Sequence, residues 1–370
     1  MALPPVTTTS LSKPVARVIF TSWTFGEKKT LPLFAQASCL LLFLSETKIV
    51  DVLEHADLAF PKSLPEFQRL FPDDAACATY LEKARWGDGF SCPHCGVVGE
   101  PFRFENRPGV LRCRACRKDT GLTVGTVMQG SHVPLSTWFW AAYLVASQTP
   151  GMSAVQFQRQ LGLSRYETAF GLLHKLRAGM VRPDRDRIGG APKTHVEVDE
   201  AWVGGRTRGE GRGVHHKTLV AAAVEVRHRK LGTAQDKRKD GRYAGRLRLA
   251  MVKDRSAESL CGFVETAVLP GTLLVTDDWS AYGSLRTRGY DHHAIAECGD
   301  PEVAEEFMRI IHLVFSNLKT WLNGTHHGVS AKHLQAYLNE YQFRFNRRFY
   351  PFNAFRSLLG LAGASYFRIR

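Results

Sequence analysis

Val196-Glu197-Val198-Asp199-Glu200-Ala201-Trp202-Val203 alternates apolar and polar residues until Gly204-Gly205 stops it. A period of two is that of a strand, and it puts Glu197 and Asp199 on one face and Glu200 on the other. Downstream, Thr218 to Val226 forms a second apolar strand and Arg246 to Val252 alternates again. Ala257 to Ala267 has helical spacing, and Thr272 to Thr276 is a buried strand running into Asp277-Asp278-Trp279.

Three consecutive strands, a helix, a strand and further helices is the order of a ribonuclease H-like fold. The expected class is therefore α/β, with a mixed-sheet catalytic domain over residues 194–350 and a C-terminal tail over 351–370. Asp199 and Asp277 are 78 positions apart in sequence, yet strand pairing brings their carboxylates together. Hard oxygen ligands so placed suit Mg2+ or Mn2+. Two ions about 4 Å apart activate a nucleophile and stabilise the leaving oxygen in phosphoryl transfer. Glu197, Glu200 and Asp278 are the neighbours most easily mistaken for these ligands.

Upstream of the first strand, Pro183, Gly189, Gly190 and Pro192 mark residues 182–193 as a linker. Before it, Ser153 to Gln160 reads as a short helix with Val155 and Leu161 inward, Gly162-Leu163 as a turn, and Ser164 as the cap of a second helix reaching Met180. This is a helix-turn-helix pattern within a DNA-binding region at 130–181. Its second helix presents Arg165, Tyr166, Thr168 and His174 to a major groove, while Phe170, Leu172, Leu173 and Leu176 pack inward. A plain helical hairpin is the alternative.

Further upstream, Cys92-Pro93-His94-Cys95 and Cys113-Arg114-Ala115-Cys116 are separated by seventeen residues. That spacing predicts a zinc ribbon at 91–120, closed by one structural Zn2+ on four thiolates. Arg114, Arg117 and Lys118 make its second knuckle basic. A helical lead-in occupies 62–90. Residues 1–61 lack periodicity and match no chemical motif, so they are read as an unassigned N-terminal extension outside the functional fold.

The composition agrees with a nucleic-acid partner. In 370 residues, 49 Lys and Arg face 35 Asp and Glu, for a net charge of +14, which draws the chain to a polyanion. Paired thiols favour a reducing compartment, so a cytoplasmic protein with no membrane segment is expected.

The chain resembles insertion-sequence transposases that join a zinc ribbon to a DDE core. The resemblance covers about residues 62 to 360. It rests on Arg85-Trp86-x-Asp88-Gly89-Phe90-x-Cys92-Pro93-x-Cys95-Gly96, on Val196 to Glu200 with Gly204-Gly205, and on Thr276-Asp277-x-Trp279-x-x-Tyr282. Val314 to Leu322 and Gly324 to Gln335 add to it. It implies binding to the inverted-repeat ends of an element, metal-dependent cleavage and strand transfer into target DNA, with Asp199 and Asp277 as the first two catalytic acids. Double-stranded DNA is then the partner, with a homo-oligomer handling two ends.

The third position departs from that pattern. A helix expected over Pro301 to Leu322 has Phe307, Ile311, Val314, Leu318 and Trp321 on its core stripe and His312, Ser316, Lys319 and Asn323 on a polar stripe. Family members that keep the glutamate place a lysine seven residues after it, so His312 takes the glutamate position and Lys319 the phosphate-binding one. Asn317 is the rival. A last helix over Ala331 to Arg348 ends in Arg344, Arg347 and Arg348, read as DNA-backbone contacts or a solvated basic end. Two other readings remain open at this point: a zinc-ribbon repressor that no longer cuts, and a ribonuclease H-like nuclease without strand transfer.

Overall fold

Ser63 and Asp73 start the first two helices, their side chains accepting the backbone N–H of Glu66 and Ala76. These helices are α1 (Leu64–Leu70) and α2 (Asp74–Arg85). The computed structural model describes residues 61–87, 89–107, 109–181, 187–204, 217–229, 241–296, 300–350, 354–355 and 357–359. Contacts divide the chain into Met1–Lys48 and Ile49–Arg370, and every described residue belongs to the second unit. All of the extension but Pro61, residues 230–240 and most of the tail lie outside the described residues.

After α2 come three short antiparallel strands, β1 (Phe102–Arg103), β2 (Val110–Arg112) and β3 (Asp119–Gly121), in the order β1-β2-β3. Three helices follow: α3 (Leu135–Ser147), α4 (Ala154–Gln160) and α5 (Tyr166–Gly179). Phe67, Phe71, Trp138, Phe139, Tyr143 and Phe157 fill one core with Cys92, Cys113 and Leu111. The strands and helices of this half are therefore packed together. Two details differ from expectation. Arg165, not Ser164, occupies the cap position of α5 and makes no capping bond, and Val155 is exposed while Phe157 takes the inward position.

The second half holds β4 (His195–Val203), β5 (Thr218–His228), β6 (Arg242–Met251), α6 (Ala257–Ala267), β7 (Leu273–Asp277) and β8 (Asp291–Ile295). Three helices end it: α7 (Pro301–Phe307), α8 (Arg309–His326) and α9 (Ala331–Asn346). The sheet order is β6-β5-β4-β7-β8, antiparallel through β4 and parallel beyond it. This mixed sheet between helical layers is the ribonuclease H-like arrangement. Val220, Ala222, Val224, Leu247 and Leu249 meet α8 and α9 on one face, and Val196, Val198, Ala221 and Leu274 meet α6 on the other. The polar strand β8 was not anticipated. The single helix expected from Pro301 is two, broken at Met308, and Phe307 is exposed instead of lining the core.

Helix α9 also covers the edge strand β6. Gln335, Gln342 and Asn346 accept the outward N–H groups of Met251, Leu249 and Leu247 at 2.9, 2.8 and 2.7 Å. Arg348 donates to the carbonyls of Gly245 and Ala244. On the opposite edge, Arg286 donates twice to the His292 carbonyl of β8.

The two halves are joined by a buried ion pair. Arg177 Nε of α5 lies 2.7 Å from Glu340 Oε2 of α9, each side chain 1% exposed, and Arg344 adds a second cation at 2.9 Å. Burial pushes the Glu340 carboxyl up, but Arg177 and Arg344 overcome this and hold it at about 2. Its contribution to stability is full above the ordinary carboxylate range and fades as the pH falls toward 2. Glu340→Ala leaves two buried guanidiniums without their counter-ion and is expected to cost about 3–5 kcal/mol in urea unfolding. A loss below about 1 kcal/mol would make the pair no stronger than a surface one. Trp321 Nε1 and Thr325 Oγ1 further bind the Pro150 carbonyl, at 2.9 and 3.0 Å. Among the described residues, no helix is long and apolar enough to cross a membrane.

Candidate active site

Strand alternation decides which way the acids point. Ala201 and Val203 of β4 pack on the α8/α9 face and Val198 packs on the opposite one, so Asp199 opens toward α8. On β7, Val275 packs against the same side as Ala201 while Leu274 packs opposite. Asp277 therefore shares the face of Asp199. The parallel pairing sets Val196 beside Leu274 and Glu197 beside Val275, and two residues further along both strands Asp199 comes level with Asp277.

Helix α8 brings the third group. His312 Nε2 lies 3.7 Å from Asp199 Oδ2, with 40% of the imidazole and 17% of the aspartate side chain exposed. The pair is thus open to a substrate from one side. Lys319 is exposed two turns on, about 20° from His312 around the helix. Asn317 is also exposed but sits about 140° away from His312, beyond the exposed Ser316, Thr320 and Leu313. Two carboxylates with an imidazole make a donor set of hard oxygen and borderline nitrogen, which fits Mn2+ well and Mg2+ through the carboxylates.

Glu197 has a different task from Asp199. It is fully buried, and its Oε2 accepts the Ile311 N–H at 2.6 Å. Met308, at the cap of α8, offers no side-chain acceptor. A carboxylate from β4 thus satisfies an orphan donor at the helix start and sits at the positive end of its dipole. Because Glu197 and Asp199 share a face, the bond that starts α8 also sets His312 over Asp199. Sequence alternation placed Glu197 on the right face but held no sign of this capping.

Glu200, on the other face, is buried and accepts the Tyr282 hydroxyl at 2.6 Å and Arg255 Nε at 2.6 Å. Burial first, then Glu200, Asp199 and Asp277, push the Tyr282 phenol up and keep it protonated. Asp278 follows the strand end and is not part of the β7 ladder.

The four cysteines form a second centre. Their sulfurs all lie within 4.8 Å of one another, with Cys92 and Cys116 at 3.6 Å and Cys95 and Cys113 at 3.7 Å. Sulfurs on a tetrahedral Zn2+ at about 2.3 Å would stand about 3.8 Å apart, so the cluster fits zinc. Gly96 and Arg117 follow the two knuckles with left-handed φ of 72° and 62°. The backbone favours glycine at both, yet the second is an arginine.

Two family models match the chain. A family model described as ISXO2-like transposase domain matches residues 190–346, and one described as transposase zinc-ribbon domain matches residues 72–119. The chain thus carries the two domains of a zinc-ribbon transposase, the ribbon ahead of an ISXO2-like transposase domain. A relative in Halobacterium salinarum, named as an uncharacterized protein in transposable element ISH50, is 25% identical over 297 residues, which is 75% of this chain and 92% of that protein. No solved structure matches. The catalytic-domain match contains Asp199, Asp277, His312 and Lys319, and the ribbon match contains all four cysteines.

The basic residues of this transposase divide into two groups. Arg114, Arg117 and Lys118 are exposed on the ribbon, and Arg165 is exposed at the start of α5. Arg344 and Arg348 are turned inward instead. Arg344 binds Glu340 and the Gln148 carbonyl, and Arg348 binds carbonyls of β6 and of its own helix. Arg347 stacks 3.9 Å over Phe343. His174 likewise faces α9, not a groove: its ring lies 4.3 Å from Phe170 and 5.1 Å from His333, and burial lowers its pKa to about 4.

Proposed function

We propose that this transposase binds the inverted-repeat ends of its own element and performs metal-dependent strand cleavage and strand transfer, using Asp199, Asp277 and His312. The observation that carries this reading is the convergence of the two aspartates on one sheet face with His312 3.7 Å from Asp199. Asp199 and Asp277 hold the divalent ions, and His312 either completes the shell or orients the attacking oxygen. When bound, the ions supply nucleophile activation and stabilisation of the leaving oxygen. Lys319, on the same side of α8, holds a phosphate of the bound strand. Arg114, Arg117, Lys118 and Arg165 contact the DNA backbone, and Arg344 and Arg348 are assigned to the protein interior. Two copies act together on paired ends.

Incubation with Mn2+ and labelled DNA carrying the element ends tests the reading. Joined products support it, cutting without joining points to a nuclease, and a specific shift without cutting points to a repressor. A finer test concerns the third group. His312→Ala is expected to suppress cleavage by about 10²-fold or more, and His312→Glu to retain it, most clearly in Mg2+, by supplying a harder oxygen. Asn317→Ala should have the smaller effect. Cleavage lost in Asn317→Ala but kept in His312→Ala would reverse the assignment.

A further inference from the structure

The backbone alone does not hold the two aspartates side by side. The pairing between β4 and β7 covers Val196 with Leu274 and Glu197 with Val275, and so stops two residues short of both acids. Beyond that point a chain of side-chain contacts takes over. The Glu200 N–H donates to Asp199 Oδ1 at 2.7 Å. The Glu200 carboxylate, 1% exposed, accepts Tyr282 Oη–H and Arg255 Nε–H, both at 2.6 Å. The Arg255 guanidinium lies 4.2 Å over the Trp279 ring, and the indole N–H donates to the Arg255 carbonyl at 3.1 Å. Finally the Trp279 backbone N–H donates to Asp277 Oδ1 at 3.3 Å. The chain begins on one aspartate and ends on the other.

We propose that Glu200, Tyr282, Arg255 and Trp279 form a positioning clasp that fixes the spacing and aim of the Asp199 and Asp277 carboxylates. This rests on the reading of those aspartates as the divalent-metal ligands. Glu200 lies on the sheet face opposite the site and Tyr282 packs in the core of that face, so these two act through the acids and not on the substrate. Glu200 carries a buried charge that costs several kcal/mol when unpaired, and the two donors that repay it come from the loop between β6 and α6 and from the short 3-10 turn after β7. Trp279 and Tyr282 sit two and five residues past Asp277, which gives the Asp-x-Trp-x-x-Tyr spacing a mechanical purpose. Outer groups that orient metal ligands typically govern about 10–100-fold in metal affinity.

Tyr282→Phe isolates the effect, because it removes one hydroxyl and leaves ring volume and net charge unchanged. Arg255→Lys keeps the charge and removes the fork that binds Glu200 while stacking on Trp279. Mn2+ alone is titrated calorimetrically into the zinc-loaded full chain, and thermal unfolding and binding to element-end DNA are followed in parallel. Both variants are expected to fold and bind DNA as wild type, to bind Mn2+ about tenfold more weakly, and to need correspondingly more Mn2+ for half-maximal cleavage. A merely structural role would lower the unfolding temperature and leave the Mn2+ affinity of the folded protein unchanged. Wild-type Mn2+ affinity in both variants, with affinity lost in Asp277→Ala, overturns the clasp. Wild-type Mn2+ affinity in Asp277→Ala itself overturns the metal-site reading on which the clasp depends.

Discussion

Asp199→Ala and Asp277→Ala are each expected to lower strand cleavage by about 10³-fold or more while leaving binding to element-end DNA intact. Electrostatic stabilisation of transferring phosphoryl oxygens by metal ions is worth several kcal/mol, and each 1.36 kcal/mol is a factor of about ten in rate. Removing either carboxylate takes away a ligand that neighbouring side chains do not replace. Glu197 is turned to the start of α8 through its bond to Ile311, and Glu200 lies on the far face of the sheet with Tyr282 and Arg255. DNA binding should be retained, since the basic residues proposed to hold the DNA, on the ribbon and at the start of α5, lie outside the sheet. Gel-shift and cleavage assays on the same preparations measure both quantities. Cutting at wild-type rate in either variant removes the assignment. Asp278→Ala should be much milder, since Asp278 lies past the end of β7.

The second large effect is expected at the ribbon. Cys113→Ser should abolish stoichiometric zinc and unfold residues 91–121, because binding energy at four-thiolate sites, about 10–16 kcal/mol in small zinc domains, is itself folding energy. The damage should spread. Cys92, Cys113, Leu111 and Leu122 belong to the same core as Phe67, Phe139 and Leu172, so loss of the metal loosens the helices that pack on the ribbon. Elemental analysis reads the zinc, and hydrogen exchange along α2 and α3 reads the spread. Retained zinc in Cys113→Ser would reject this ligand set.

The features legible in the sequence were those set by local periodicity. The alternation from Val196 to Val203 fixed the strand and the face of Asp199, and the cysteine spacing fixed the ribbon. The unreadable features were set by partners far along the chain. Helix α3 begins at Pro134 with no side-chain cap of its own; Asp74, more than sixty residues earlier, accepts the N–H groups of Leu135 and Ser136. Helix α8 begins after Met308 because Glu197, 114 residues earlier, accepts from Ile311. Capping rules that look only within a few residues run straight through that break and predict one long helix. Strand β8, with Asp291, His292 and His293 in five residues, shows no apolar pattern; it exists through its ladder with β7. His174 and Arg344 follow the same logic. Each looks like a free polar group on its own helix, and each meets a residue of the other half of the molecule, His333 and Gln148 respectively.

The amide side chains of α9 that occupy the rim of β6 have a consequence for assembly. An uncovered rim is a template on which another chain can crystallise its own strand, the first step toward runaway stacking. Here Gln335, Gln342 and Asn346 mimic that incoming strand and fill its donors in advance, and Arg286 takes an outward carbonyl of β8. Growth of the sheet from subunit to subunit across β6 is therefore blocked. If two copies meet on DNA, β6 of one cannot pair with β6 of the other, so any contact between them is made elsewhere on the molecule.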